Sequence, residues 1–311
     1  MEIIHSLDGF KALNSSVVTI GSYDGLHLGH REIIFALISK SKTLSVPSVL
    51  ITFNPHPKFI VGSANEDILL ITSMKEKIRK LKMLNLDYVY FLPFDEKVAN
   101  TTAQDFLDNN LLFFNPIHFV IGYDHHLGKG RQGSPEFIKD YCRKKKINLK
   151  IIKAISYERL TVSSSNIRKL IKNGRVNTAN KLLGSIFAIS GKAVKGSGRG
   201  RDLSFPTANL KIVDECQILP KNGVYLIRGK FIGLELFGMC NLGIRPTFNE
   251  SKLIMEIHFF YDRLDNLYGE EIRVEFLDRV RDEIKFPTPK DLVLQLKKDK
   301  KYCLSIINKY N

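Results

Sequence analysis

Two folds in tandem are expected: an α/β domain built on a parallel sheet up to about residue 185, then a small antiparallel barrel or sandwich followed by a C-terminal helix. Three observations predict this. Short apolar runs alternate with amphipathic stretches through the first half, the second half turns to strands with no helices between them, and the tail carries a helix-start signal.

In the first half the strand candidates are SVVTIG, PSVLITF, LDYVYFLPF, IHFVIGYD and LKIIKAIS. Between them, REIIFALISKSK, MKEKIRKLKMLN and PEFIKDYCRKKK repeat apolar residues at helical spacing. Strict alternation of this kind predicts a parallel sheet covered by helices on both faces. Ligands of such sheets bind outside the carboxyl ends of the strands. In the second half, FAISGKAV, NGVYLIRGK, LELFGMCNLG, LIMEIHFFY and EIRVEFLDRV are separated by Gly, Asn and Asp turns, the pattern of an antiparallel barrel or sandwich. In the tail, Thr288 suits an N-cap and Pro289 the first helical position, with Leu292, Leu296, Tyr302 and Ile306 as the inward face. The boundary is expected near Gly184 and Ser185, giving domains of residues 1–185 and 186–311.

The 311 residues fit about two domains at roughly 150 residues each. The first residues, MEIIHSLDGF, show no basic region followed by an apolar one, and no stretch has the length of a membrane span, so a cytoplasmic protein without membrane contact is expected. Cys142, Cys216, Cys240 and Cys303 are far apart and form no CxxC pair, which argues for reduced structural thiols. A net charge of +15 suits a polyanion or a small phosphorylated ligand. The lysines are scattered, with no clustered basic arm, so no nucleic-acid partner is expected, and no oligomeric state is implied.

GSYDGLHLGH, residues 21 to 30, lies between a strand candidate and a helix candidate. His27 and His30, three apart at the opening of that helix, can lie on one side beside free backbone N–H groups and the positive end of the helix dipole. An anion, best a phosphate, suits that place. Gly21, Gly25 and Gly29 let the backbone turn and approach a ligand closely. Two imidazoles and a helix start can stabilise charge building on an α-phosphate and a departing pyrophosphate in nucleotidyl transfer. A second anion element is TVSSSNIRKLIK, where Ser163, Ser164 or Ser165 can cap a helix and Arg168 stands one turn in.

In GKAVKGSGRGRDLSFPTANL, residues 191 to 210, a glycine-rich flap with Gly196 and the cations Lys195, Arg199 and Arg201 can close over a polyphosphate. Thr207 and Asn209 offer the hard oxygen ligands that Mg²⁺ prefers. In LIMEIHFFY the alternation puts Met255, Ile257 and Phe259 on one face, with Glu256 and His258 on the other. A carboxylate projecting into a barrel mouth can take the proton of an attacking hydroxyl.

These residues resemble the bacterial bifunctional riboflavin kinase and FMN adenylyltransferase family. GSYDGLHLGH resembles its histidine signature, with Tyr23 where Phe is usual, and TFNPHP at 52 to 57, IGYDHHLGKGRQG at 121 to 133 and SSSNIR at 163 to 168 match further blocks in order. PTANL, NGVY, NLGIRPTF, MEIHFF, LYG and VRDEIKF follow one another as in its kinase half. The resemblance implies a Rossmann-like nucleotidyltransferase domain that adenylylates FMN to FAD, and a six-stranded antiparallel β-barrel that phosphorylates riboflavin to FMN, both using ATP and Mg²⁺.

It further implies that His27, His30, Ser164 and Arg168 contact the ATP phosphates, with Gly21, Tyr23, Asp24, Gly29, Ser163 and Ser165 in the same blocks. Asn54 and Asp124 lie toward the flavin, its phosphate or the metal. In the kinase half it implies Thr207 and Asn209 at Mg-ATP, Glu256 as base and Arg281 near the flavin. The sequence departs from the family at His125-His126-Leu127, usually Phe-Arg-Phe, at Ser165, usually Thr, and at Ser204, usually Gly.

Overall fold

The computed structural model describes residues 1–62, 69–195, 205–231, 233–247, 250–261 and 267–310, with residues 244–247 and 250–253 as backbone only. Two compact units emerge, one of residues 1–69 and 74–163, the other of 70–73 and 164–311.

The first unit contains β1 (Glu2–Ile4), β2 (Ser16–Ile20), α1 (Leu28–Leu44), β3 (Ser48–Asn54), α2 (Lys58–Val61), α3 (Met74–Lys82) and β4 (Tyr88–Pro93). It continues with α4 (Glu96–Ala99), α5 (Ala103–Asn110), β5 (Pro116–Gly122), α6 (Pro135–Lys144), β6 (Asn148–Ile152) and a small hairpin, β7 (Ser156–Tyr157) and β8 (Leu160–Thr161). The sheet order is β1-β4-β3-β2-β5-β6, every pair parallel. All five expected strands are present, and β1 adds an edge beside β4. From β2 the chain winds outward through β3 and β4, then returns to the other side of β2 for β5 and β6. That reversal between β2 and β5 is the switch point of a doubly wound sheet, where a crevice opens at the carboxyl ends. β2 is fully buried because helices cover both sheet faces: Val18 and Ile20 pack with Phe106, Phe119 and Ile138, and Val17 packs with Leu37, Leu50 and Leu81.

The second unit opens with α7 (Ser164–Lys172) and α8 (Val176–Leu183), followed by β9 (Phe187–Val194), β10 (Ala208–Ile212), β11 (Gly223–Phe231), β12 (Leu234–Thr247), β13 (Glu250–Phe259), β14 (Glu271–Arg281) and α9 (Pro289–Ile306). The six strands close an antiparallel barrel in the order β10-β13-β12-β11-β14-β9, which resolves the barrel-or-sandwich alternative. β10 is an addition to the expected strands.

The compact units divide at Ser163 and Ser164, earlier than the expected boundary near Gly184. α7 and α8 fold with the barrel because Asn180 of α8 bonds to it at both ends of its amide. Its Nδ2 donates to the Phe276 carbonyl at 2.8 Å and its Oδ1 accepts from the Phe187 N–H at 2.7 Å.

Thr288 caps α9 as expected, accepting from the Asp291 N–H, with Pro289 in the first turn. The inward face differs in two members, since Val293 rather than Leu292 packs against this cluster. Tyr302 is exposed, and Cys303 is buried in its place with Val293, Leu296 and Ile306 on the barrel's outer wall. Successive steps of three and four from Val293 reach 296, 299, 303 and 306, so a residue at 302 falls off the stripe. The step at 299 is Asp299, buried and held by Arg281.

Candidate active sites

β2 delivers the chain into the expected turn at the switch point. Gly25 takes φ +87°, a conformation L side chains rarely adopt, while Gly21 and Gly29 sit close against neighbouring rings. A Cβ on Gly21 would stand 3.0 Å from the Tyr23 ring, and one on Gly29 would stand 3.2 Å from the His27 ring. A Cβ on Gly29 would also lie 3.8 Å from the carbonyl of Val162, the residue before Ser163.

His27 is the N-cap of α1: its Nδ1 accepts from the His30 N–H at 3.3 Å. The two imidazoles stack with centroids 3.6 Å apart, and the Tyr23 ring meets His30 edge-on at 5.2 Å. Tyr23 is anchored in turn. Thr19 Oγ1 donates to the Val120 carbonyl of β5 at 2.7 Å, so its lone pair accepts the Tyr23 hydroxyl at 2.6 Å. Strands, tyrosine and both histidines therefore form one connected support.

Burial, then the neighbouring charges of His27 and Lys77, hold His30 well below the usual histidine range, so it is neutral at pH 7. Its Nδ1 is buried and meets no hydrogen-bond partner among the described residues. Asp24 is buried in the turn. Asn54 and Asp124, exposed at the carboxyl ends of β3 and β5, lie on the strands flanking β2. Ser163 ends the first unit, and Ser164, Ser165 and Arg168 open α7 in the second.

Two features of this site were not foreseen. Lys77 of α3 is buried and donates to the Ser22 carbonyl of the turn at 2.7 Å and to Thr52 Oγ1 of β3 at 2.6 Å. Its signal was a lysine in the apolar stripe Met74, Ile78, Leu81, where a surface helix carries hydrophobic side chains. The second is His125, whose Nε2 is buried with no partner among the described residues and whose acid constant burial lowers to about 4.

In the barrel, Met255, Ile257 and Phe259 are buried as one face of β13, as the alternation predicts. That face is the lumen, since a Cβ on Gly191 of β9 would meet Met255 across it. Glu256 therefore stands on the outer wall, a correction to the barrel-mouth expectation that follows from strand parity. Register sets Glu256 between Asn209 of β10 and Asn241 of β12, three polar residues in one row across three strands. Asn241 went unsingled in NLGIRPTF because only strand pairing reveals its neighbour.

Asn209 is buried, and its Oδ1 meets no hydrogen-bond donor among the described residues. Thr207 is exposed on the lead into β10. His258 steadies that lead: its ring nitrogen Nδ1 donates to the Pro206 carbonyl at 2.9 Å, and its ring lies 5.0 Å from that of Phe205. Lys195 is exposed at the end of β9, while Gly196, Arg199, Arg201 and Ser204 lie outside the described residues. Arg281 turns its guanidinium to Asp299 of α9, with Nη2 to Oδ2 at 2.8 Å.

Comparison with known proteins agrees with both halves. Residues 10–166 match the family described as FAD synthetase, and residues 183–307 match that described as riboflavin kinase. The bifunctional riboflavin kinase/FMN adenylyltransferase of Bacillus subtilis is 33% identical over 93% of this chain and 92% of its own length. That of Escherichia coli K12 is 30% identical over 91% and 90%. A crystal structure of a macrolide-efflux protein from Streptococcus pneumoniae superposes with a TM-score of 0.88 at 32% identity, over 96% of this chain and 97% of that one. Among the described residues no helix is long and apolar enough to cross a membrane. With its two matched regions in this order and relatives that share nearly its whole length, the chain belongs to the bifunctional riboflavin kinase/FMN adenylyltransferase family.

Proposed function

We infer that this chain phosphorylates riboflavin to FMN with its second half and adenylylates FMN to FAD with its first. The observation that carries the reading is that one chain holds both a histidine-bearing helix start at the switch point of a parallel sheet and an amide–carboxylate–amide row on a barrel wall.

In adenylyl transfer a phosphate oxygen of FMN bonds to the α-phosphorus of ATP while the α–β anhydride bond breaks and pyrophosphate departs. The first-turn N–H groups of α1, with His27 and His30, bind the phosphates and stabilise the growing charge. His30 is held neutral and His27 Nδ1 is occupied as an acceptor, so the stacked pair acts through neutral imidazole N–H donors. Ser163 supplies a further anion contact, Asn54 and Asp124 face the flavin side, and Ser164, Ser165 and Arg168 stay anion-binding candidates at the start of α7.

In the kinase half the 5′-hydroxyl oxygen of riboflavin bonds to the γ-phosphorus, the β–γ anhydride bond breaks, ADP departs and the hydroxyl proton passes to Glu256. Thr207 and Asn209 fit Mg²⁺, since both are hard oxygen donors and the Asn209 Oδ1 is buried with no donor of its own among the described residues. Bound there, the ion would neutralise phosphate charge. A cytoplasmic setting suits four cysteines that are all free.

The test is to incubate the full chain with Mg²⁺, ATP and either riboflavin or FMN, and to separate the flavins by chromatography. FMN and FAD from riboflavin, with FAD from FMN, is the expected outcome. A chain yielding neither would overturn the reading.

A further inference from the structure

We propose that Lys77 is a positioning residue for adenylyl transfer, one that ties the β2–α1 turn to β3 and adds a buried positive charge beside His30. The inference rests on the reading of the histidine turn as the ATP phosphate site.

Lys77 lies on α3, outside every sequence block that marks the site, yet its ammonium reaches the turn. It donates to the Ser22 carbonyl at 2.7 Å and to Thr52 Oγ1 at 2.6 Å, and Thr52 Oγ1 itself reaches the Ser22 carbonyl at 3.2 Å. A triangle of three polar groups thus closes between α3, β3 and the residue before Tyr23. Lysine is almost never fully buried unless it is held in place for a reason, because desolvating an ammonium is costly. An uncharged residue would be expected at this position of α3 if only packing mattered, since Met74, Ile78 and Leu81 continue the same apolar stripe.

The charged groups that face Lys77 explain how it can act. From the turn comes the buried carboxylate of Asp24, from α1 the imidazole of His30 with His27 stacked on it, and from β4 the Phe91 ring at 5.8 Å. On its own helix, Glu76 is bonded to Arg79. Burial lowers the Lys77 ammonium to about 8, and Asp24 opposes that fall. At pH 7 it is therefore charged, it discourages protonation of His30, and it adds to the positive potential an ATP phosphate meets. Deprotonation near pH 8 would remove that charge and loosen both hydrogen bonds at once.

The experiment measures FAD formation from FMN, ATP and Mg²⁺ across pH 6 to 10 in the full-length wild type, K77M, K77R and H30A. K77M is expected to lower kcat about 100-fold with little change in KM for ATP, as an interaction felt mainly in the transition state would. In the wild type the rate should fall above pH about 8. K77R, whose guanidinium stays charged, should recover much of the K77M loss and carry that alkaline limb upward. A K77M rate within about two-fold of wild type, or the same alkaline limb in K77R, would overturn the proposal. Should K77M fail to fold, as reported by circular dichroism and by riboflavin phosphorylation in the barrel, the K77R profile alone decides. If H30A forms FAD as fast as wild type, the reading of the turn itself fails, whatever the lysine variants do.

Discussion

The two sites are built in opposite ways. The histidine site is local: Gly21 to His30 are ten consecutive residues, and the turn that orients them is shaped by its own glycines and by Tyr23. The barrel site is assembled from afar, with Asn209, Asn241 and Glu256 aligned by strand register, and with Pro206 fixed by His258 from β13. A local site is sensitive to backbone detail within the turn. An assembled one depends on the strands that carry it.

The largest expected effects separate the two sites chemically. H30A should reduce FAD formation from FMN by at least about 100-fold and leave FMN formation from riboflavin intact. E256A should do the reverse, by a factor of about 100 to 10,000 for loss of a general base. Both are read by separating flavins after incubation with each substrate. If either variant silences both reactions while remaining folded, the sites are not independent and the comparison breaks.

The next effect tests what holds the barrel site's frame. Asp299 is buried on α9, bonded to Arg281 at 2.8 Å and to Gln295 Nε2 at 2.8 Å. Removing the carboxylate strands a partly buried guanidinium, so D299A should cost about 3 kcal/mol, seen as an earlier urea midpoint for loss of kinase activity. Arg281 was expected beside the flavin. An unchanged midpoint with a raised KM for riboflavin would restore it to that role and remove it from the frame.

Within the local site, G29A is a smaller probe. The new Cβ would lie 3.2 Å from the His27 ring, so the imidazole must give by a few tenths of an ångström while the fold stays whole. FAD formation should fall by about 10-fold with no change in kinase rate, because a misplaced catalytic group loses rate before stability. An unaffected rate would mean that His27 tolerates displacement and that its stack on His30 is incidental.

This contrast also explains how much could be read in advance. The alternation of apolar runs announces the parallel sheet, and GSYDGLHLGH announces its site, because the strand, the turn and the helix start are contiguous. β1 escapes because three residues, EII, form too short a run, and its pairing with β4 is tertiary. β10 escapes because ANLKI follows Pro206 and reads as the end of a binding loop. Glu256 was legible as a polar residue on an alternating strand, but which side of the barrel it faced, and that Asn241 stood beside it, depended on closure. Lys77 is the converse: the helix pattern showed α3 well, and that same pattern hid a lysine that reaches inward to the turn.

The smallest effect concerns the amino-terminal half of the same sheet. His118 of β5 is buried, and neither ring nitrogen has a hydrogen-bond partner among the described residues. One N–H of the neutral ring is therefore left without an acceptor, a cost of about 1 kcal/mol or more. Burial, then Lys40 of α1 and Lys150 of β6, holds its acid constant below the usual histidine value. The unfolded chain thus takes up the proton first, so this group's contribution is present above pH about 6.5 and is lost as pH falls toward the folded value. H118L should leave stability at pH 8 equal or about 1 kcal/mol higher, and should flatten the acid side of the urea midpoint against pH. His30 and His125 have lowered values too, so part of the slope should survive. A less stable H118L with an unchanged slope would show that the imidazole is satisfied in solution, and that this part of the sheet holds a polar contact absent from its static geometry.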